Sequence, residues 1–176
     1  MNSVNPVSPS QHNSTNTPTH CVFRCGAEWL ALPTLSVREV RPASEPVFVP
    51  GLPGVFRGLL HVRSEFVPLL NLASVLRQPE TSDGEIMLVL DDVDGPWAVF
   101  VDEVSGLRAL DISDAPESDA AGIASVVTGW ATVDDEVVQV LDQSAIRQFA
   151  ERELASTGRS SGLQANAPTR ERMGAL

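Results

Sequence analysis

The chain has no lysine: all twelve of its basic residues are arginine. That absence removes several function classes together. A P-loop needs a Lys on its phosphates, a protein kinase needs a strand Lys, and Schiff-base chemistry needs a Lys amine. Long apolar runs are also missing. No stretch of the 176 residues approaches the ~20 apolar positions that span a bilayer, so direct membrane insertion is not expected. Residues 1–20 carry no Arg and no apolar block, and so lack both regions of a secretory signal. The sequence therefore predicts a cytoplasmic protein.

Cysteine is scarce, with only Cys21 and Cys25. On one strand their four-residue spacing amounts to roughly 13 Å, beyond the ~7 Å Cα separation that a disulfide allows. His20 is adjacent, but neither His12 nor His61 supplies a second ligand cluster, so no metal and no cofactor is expected. The two thiols read as small buried groups on one strand face. Nucleophilic chemistry has no better support: there is no Gly-x-Ser-x-Gly elbow and no Gly-rich loop leading into a helix. The carboxylate pairs Asp91-Asp92 and Asp134-Asp135 fall at expected turns, where Asp favours the local geometry and stays hydrated. The chain does not read as an enzyme.

What is present in excess is acid. Net charge is −11, which disfavours nucleic acid as a partner. The distribution along the chain is uneven: residues 21–79 carry +2, residues 80–142 carry −15 and residues 143–176 carry +2. Two readings follow, a solvated acidic face or two lobes of unlike charge that meet complementary surfaces.

Between Ser/Asn/Thr/Pro-rich tails at 1–19 and 157–176, expected to be disordered, short apolar runs are punctuated by turns. Gly26-Ala27, Arg63-Ser64-Glu65, the segment 91–96 and the segment 133–136 each separate two such runs. Four hairpins with strands of about five residues predict an all-β barrel or sandwich. Residues 35–40 are ambiguous between a short helix and an extended segment, and Asn71 is a candidate cap for a turn through Leu72 and Val75. A C-terminal helix is predicted from Asp142 or Ser144, with an apolar stripe at Ile146, Phe149, Ala150 and Leu154, ending at Gly158. The Gly/Pro-rich connection 50–58 leads into the second hairpin and presents Phe56 and Arg57 to a partner, if it is more than a turn.

Taken in order, several segments resemble the CheW family. The opening Phe23-Arg24-Cys25-Gly26-Ala27-Glu28-Trp29 is similar to the family's strand, Gly-x-Glu and aromatic. Arg57-Gly58 followed by His61-Val62-Arg63-Ser64 and Val67-Pro68-Leu69-Leu70-Asn71-Leu72 resembles its Arg-Gly, Asn-Leu-Arg-Gly and Val-Pro-x-x-Asp-Leu motifs. Val101-Asp102-Glu103-Val104 resembles its Val-Asp-x-Val segment. The resemblance implies a domain over 20–156, built as two small five-stranded SH3-like β-barrel lobes packed side by side, with a C-terminal helix. It implies a non-catalytic adaptor that couples the cytoplasmic tip of a chemoreceptor to the regulatory domain of a CheA-type histidine kinase. Alternatives are a divergent copy serving a non-flagellar pathway, a competitor that binds one partner only, and, from another class, a small ligand-binding or hydrolytic barrel. Carried over by position, Val37, Glu39, Phe56, Arg57, Gly58, Arg63, Asp102 and Val104 are the expected partner-binding residues. Two motif positions depart: Ser64 replaces a Gly that would allow φ > 0, and Asn71 replaces an Asp. If that Asp pairs with the motif Arg in relatives, Arg63 must find another acceptor here.

Overall fold

The computed structural model describes residues 19–79, 84–114 and 126–162. Most of both expected tails, 1–18 and 163–176, lies outside the described residues. Along the chain run β1 (Thr19–Cys25), β2 (Glu28–Pro33), a 3₁₀ turn (Thr34–Ser36), β3 (Val37–Pro42), β4 (Phe56–Val62), β5 (Glu65–Leu70) and α1 (Leu72–Val75). Then follow β6 (Ile86–Leu90), β7 (Trp97–Val101), β8 (Glu103–Ala109), β9 (Ser113–Asp114), β10 (Val127–Val133), β11 (Glu136–Leu141) and α2 (Gln143–Gly162).

Turn chemistry fixes the hairpins. Gly26 takes φ +63 in the two-residue turn between β1 and β2, whose register pairs Cys25 with Glu28. Asp134 and Asp135 both take positive φ between β10 and β11, as a type I′ turn requires. At the β4–β5 tip it is Arg63 that adopts φ +57, and Ser64 is not among the positive-φ residues. The expected left-handed position is therefore occupied by the residue before the missing glycine.

The strands form two sheets, ordered β8-β1-β2-β11-β10-β9 and β3-β6-β7-β5-β4. We call these lobe A and lobe B. β9 follows β8 after three residues and pairs with the opposite edge strand β10, so counted as one bent strand the pair leaves five strands in lobe A. In lobe B the chain leaving β3 behaves alike: Val47 bridges to Leu59 of β4, the far edge, through bonds of 2.7 and 3.0 Å.

The lobes are interleaved, not sequential. Lobe A takes the first hairpin and the last four strands; lobe B is inserted between them. This overturns the expectation of lobes with unlike charge. Residues 37–101, which build lobe B, hold five Arg and nine acids, −4, while residues 19–36 with 102–142 hold two Arg and eleven acids, −9. The polarity seen along the chain is mixed because a β1–β2 hairpin near neutrality folds against the acidic half.

Three apolar clusters result. Leu60, Val67, Leu69, Met87, Val89 and Ala98 fill lobe B, and Val22, Ala31, Leu110, Ala131, Val138 and Val140 fill lobe A. The largest lies between the lobes, where Phe23, Leu30 and Leu32 of lobe A meet Leu70, Leu88 and Val99 of lobe B. Both helices close it. Asn71 Oδ1 accepts from the Ser74 amide at 3.2 Å and starts α1. Asp142 Oδ1 accepts from the Ser144 and Ala145 amides at 2.8 and 3.2 Å and starts α2. Ile146 and Ala150 of α2 are fully buried in the central core, and such an Ile contributes about 2 kcal/mol. Arg147 pins α2 to the β6–β7 loop by donating to the carbonyls of Gly95 (2.6 Å) and Asp94 (3.1 Å). The helix does not stop at Gly158 but runs to Gly162, since an isolated Gly costs only ~1 kcal/mol in a helix and does not force an end.

Candidate partner-binding faces

The segment read as ambiguous, 35–40, resolves into the 3₁₀ turn and β3, and β3 carries the first charged cluster. Arg38 donates to Glu65 at 2.6 Å and lies 3.7 Å from Asp91. Arg63 donates to Glu39 at 3.1 Å, so Glu39 is an acceptor for the motif Arg here. These two reciprocal bonds tie β3 to the β4–β5 tip. The Arg63 side chain is 66% exposed, whereas Glu39 is largely buried with one oxygen, Oε1, unbonded and 3.9 Å from Arg41. A hydrogen bond from Arg38 to Glu65 holds that guanidinium above its ordinary pKa.

A second cluster sits where the chain crosses from β7 into β8. Asp102 accepts from the Gly26 amide at 2.6 Å and its own amide donates to the Arg24 carbonyl at 2.9 Å. Arg24 reaches the Gly26 carbonyl (2.9 Å) and Glu103 (3.3 Å). Beside them, burial and then the Asp102 charge push the Cys25 thiol up to about 11, against the pull of Arg57 and Arg24. Burial also raises Cys21. Both cysteines are free and buried on β1, as their spacing predicted.

The expected site residues thus divide. Glu39 meets Arg63, and Arg57 and Asp102 both act on Cys25. Arg57 and Arg63 stand at opposite ends of β4, roughly 20 Å apart for six residues. Val37, Phe56 and Val104 are half-buried and pack on the central core, and Phe56 also lines a groove of about 160 Å³ beside α2 with Pro68, Trp97 and Leu154. Gly58 sits at a β-bulge with φ +138, and a Cβ there would collide with the Val47 carbonyl. Only glycine allows the bridge that closes lobe B. His61 packs against Phe66 with the rings tilted by 53° and their centres 5.4 Å apart, on an exposed surface.

Registers show a face that sequence reading missed. Directly opposed strand residues share a side of the sheet. Leu59 is opposite Pro68 and Val47, and His61 is opposite Phe66. All five therefore point outward from lobe B, with Phe66 65% and Val47 55% exposed. The available signal was alternation, since Phe66 precedes buried Val67 and His61 lies between buried Leu60 and Val62. In a run apolar at both parities that signal is weak.

Lobe A repeats this plan. Its parallel pair β2–β11 corresponds to β7–β5, its hairpin β10–β11 to β4–β5, and its bulge glycine, Gly129, to Gly58. A Cβ on Gly129 would lie 2.7 Å from the Ser113 carbonyl, as one on Gly58 would strike Val47. The equivalent outward positions hold Ser113, Trp130, Thr132, Val137 and Gln139. Trp130 is 38% and Val137 57% exposed, and with Asp111, Ser113 and Thr132 they line an open groove of about 500 Å³. Among the described residues no group of three or more His, Cys, Asp or Glu could hold a metal ion, and no helix is long and apolar enough to cross a membrane.

Comparison with known proteins agrees with this architecture. The CheW-like domain family matches residues 19–151. The crystal structure of scaffolding protein TtCheW from Thermoanaerobacter tengcongensis superposes with a TM-score of 0.65 at 18% identity, covering 72% of this chain and 89% of that one. No curated protein matches.

Proposed function

Because this chain belongs to the CheW-like domain family, we propose that it is a non-catalytic adaptor joining a chemoreceptor's cytoplasmic tip to the regulatory domain of a CheA-type histidine kinase. One observation carries the reading: a single body presents two equivalent outward faces, one per lobe, each with exposed large apolar side chains at its centre. A bridging protein needs two such faces, and an enzyme needs one convergent polar site. His61, the base that a hydrolytic reading requires, packs on an exposed Phe.

On this reading the lobe B face, with Phe66 and Val47, is one docking surface, and the Glu39–Arg63 pair stands at its rim. Gly58 and Asp102 support the faces by shaping backbone, and Val37, Phe56 and Val104 by packing; Arg57 contributes charge at the junction between lobes. The protein works in the cytoplasm, held at receptor arrays through its partners. The changed motif His61-Val62-Arg63-Ser64, with Arg63 itself in the left-handed region, favours a copy adapted to its own pathway over an interchangeable one.

The test is a three-component pull-down with the kinase regulatory domain as bait and a receptor-tip fragment as prey. Recovery of the receptor should require this protein and should drop with Phe66→Glu, whose β spectrum stays that of wild type. A protein that binds one partner without bridging would be a competitor. Binding of neither would refute the adaptor reading.

A further inference from the structure

Helix α2 changes character at Ala150. Up to that point Ile146 and Ala150 bury it on the central core, and beyond it none of residues 151–158 is buried. Leu154, 43% exposed, and Ala150 form the helix wall of the groove whose other wall is Phe56, Pro68, Leu70 and Trp97. At about 160 Å³ it suits one large apolar side chain, well below the ~300–1,000 Å³ of small-molecule pockets. Its charged lining residues, Arg147 and Glu151, are bonded to each other at 2.9 Å and offer little to an ionic ligand. Trp97 is 2% exposed, and its Nε1 has no hydrogen-bond partner among the described residues. A buried donor without an acceptor is uncommon, and a peptide brings a carbonyl together with its apolar side chain.

The segment that leaves α2 has the required composition. Residues 163–176 hold Leu163, Met173 and Leu176 among small and polar residues, and carry +1 in a chain whose residues 1–162 carry −12. Gly162 ends the helix eight residues past Leu154, about 12 Å along its axis. At ~3.3 Å per extended residue, about four residues bring a returning chain level with Leu154 and about seven bring it level with Arg147. Leu163 falls short of the groove, whereas Met173 reaches it with slack. Opposite net charge favours the approach. The tether also gives the segment an effective concentration of about millimolar, which few proteins in free solution match.

We propose that segment 163–176 turns back after α2 and seats Met173 in the groove between Leu154 and Trp97. Docked there, it covers the apolar walls and holds the outer turns of α2 against lobe B. The inference is independent of the adaptor reading, since it needs no second protein.

The probe is a synthetic peptide of residues 163–176, titrated by fluorescence anisotropy into the full chain and into its Met173→Glu variant. The variant, whose own segment no longer fills the groove, should bind the peptide about tenfold or more tightly than wild type, where the tethered copy competes. Adding Leu154→Glu to Met173→Glu should remove that binding. Amide hydrogen exchange around residue 173 should be slower in wild type than in either Met173→Glu or Leu154→Glu. Neither change threatens the core, because Leu154 is exposed and Met173 lies beyond the described fold. The proposal is overturned if the peptide binds neither protein, binds both alike, or binds regardless of Leu154→Glu. It is equally overturned if the protection around residue 173 disappears on dilution, which would place the segment in the groove of a second copy.

Discussion

Replacing Gly58 with Ala tests how lobe B is closed. The new Cβ would collide with the Val47 carbonyl oxygen and lie 3.2 Å from its carbon, both backbone atoms that cannot rotate away. The residue would also have to hold φ +138, which costs an L-residue about 1–3 kcal/mol. Relief requires Val47 to retreat, breaking the Val47–Leu59 bonds of 2.7 and 3.0 Å, worth about 1 kcal/mol each. Strain and lost bonds together give about 3–5 kcal/mol, a large share of the ~5–15 kcal/mol stability of a typical domain. Urea unfolding followed by circular dichroism reads this as a lower midpoint at unchanged slope. Gly54→Ala is the control: no atom lies within 4 Å of its Cβ and its φ is ordinary, so it should be neutral or slightly stabilising. A Gly58→Ala protein within about 1 kcal/mol of wild type would refute the bridge as the closing element, and with it the placement of Val47 on the outward face.

Asp102→Ala should cost about 1–3 kcal/mol by leaving the Gly26 amide without its 2.6 Å acceptor, and amide hydrogen exchange at the β1–β2 turn should rise; unchanged protection would refute the cap. The Cys25 thiol, pushed up to about 11, favours the folded state. Its contribution is complete below the ordinary thiol value near ~8.5 and is lost as pH rises toward 11. Stability should therefore fall more steeply across that window in wild type than in Cys25→Ala, and parallel curves would sink the assignment.

The elements that could be read from sequence are those set by local chemistry. Gly26, Gly95 and the pair Asp134-Asp135 take positive φ at turns whose residue types announce them, so three of the four hairpins have unmistakable punctuation. Asn71 and Asp142 start helices through side-chain caps that also depend on near neighbours. β8 was not legible, because Ser105 and the positive-φ Gly106 interrupt its pattern and its partner β1 lies some eighty residues away. The charge polarity misled for the same reason: which strands share a lobe is decided by non-local pairing. The acceptor of Arg63 could be posed as a question from the motif, but Glu39 could be identified only once β3 was brought to the β4–β5 tip.

The interleaving also bears on how the two faces relate. In a chain of two sequential domains, a linker would leave their relative orientation soft. Here the first hairpin belongs to lobe A, the chain then builds all of lobe B, and it crosses back at Asp102, which is itself bonded to that first hairpin. The largest apolar cluster draws on both sheets and both helices, and Arg147 ties α2, packed on that core, to the β6–β7 loop of lobe B. Moving one lobe against the other would expose Phe23, Leu30, Leu70 and Val99 together, at roughly 1.5–3 kcal/mol for each side chain. That penalty is several times thermal energy, so the Phe66 and Trp130 faces keep a fixed mutual geometry. An adaptor of this build transmits position, and what it holds on one face is set in register with what it holds on the other.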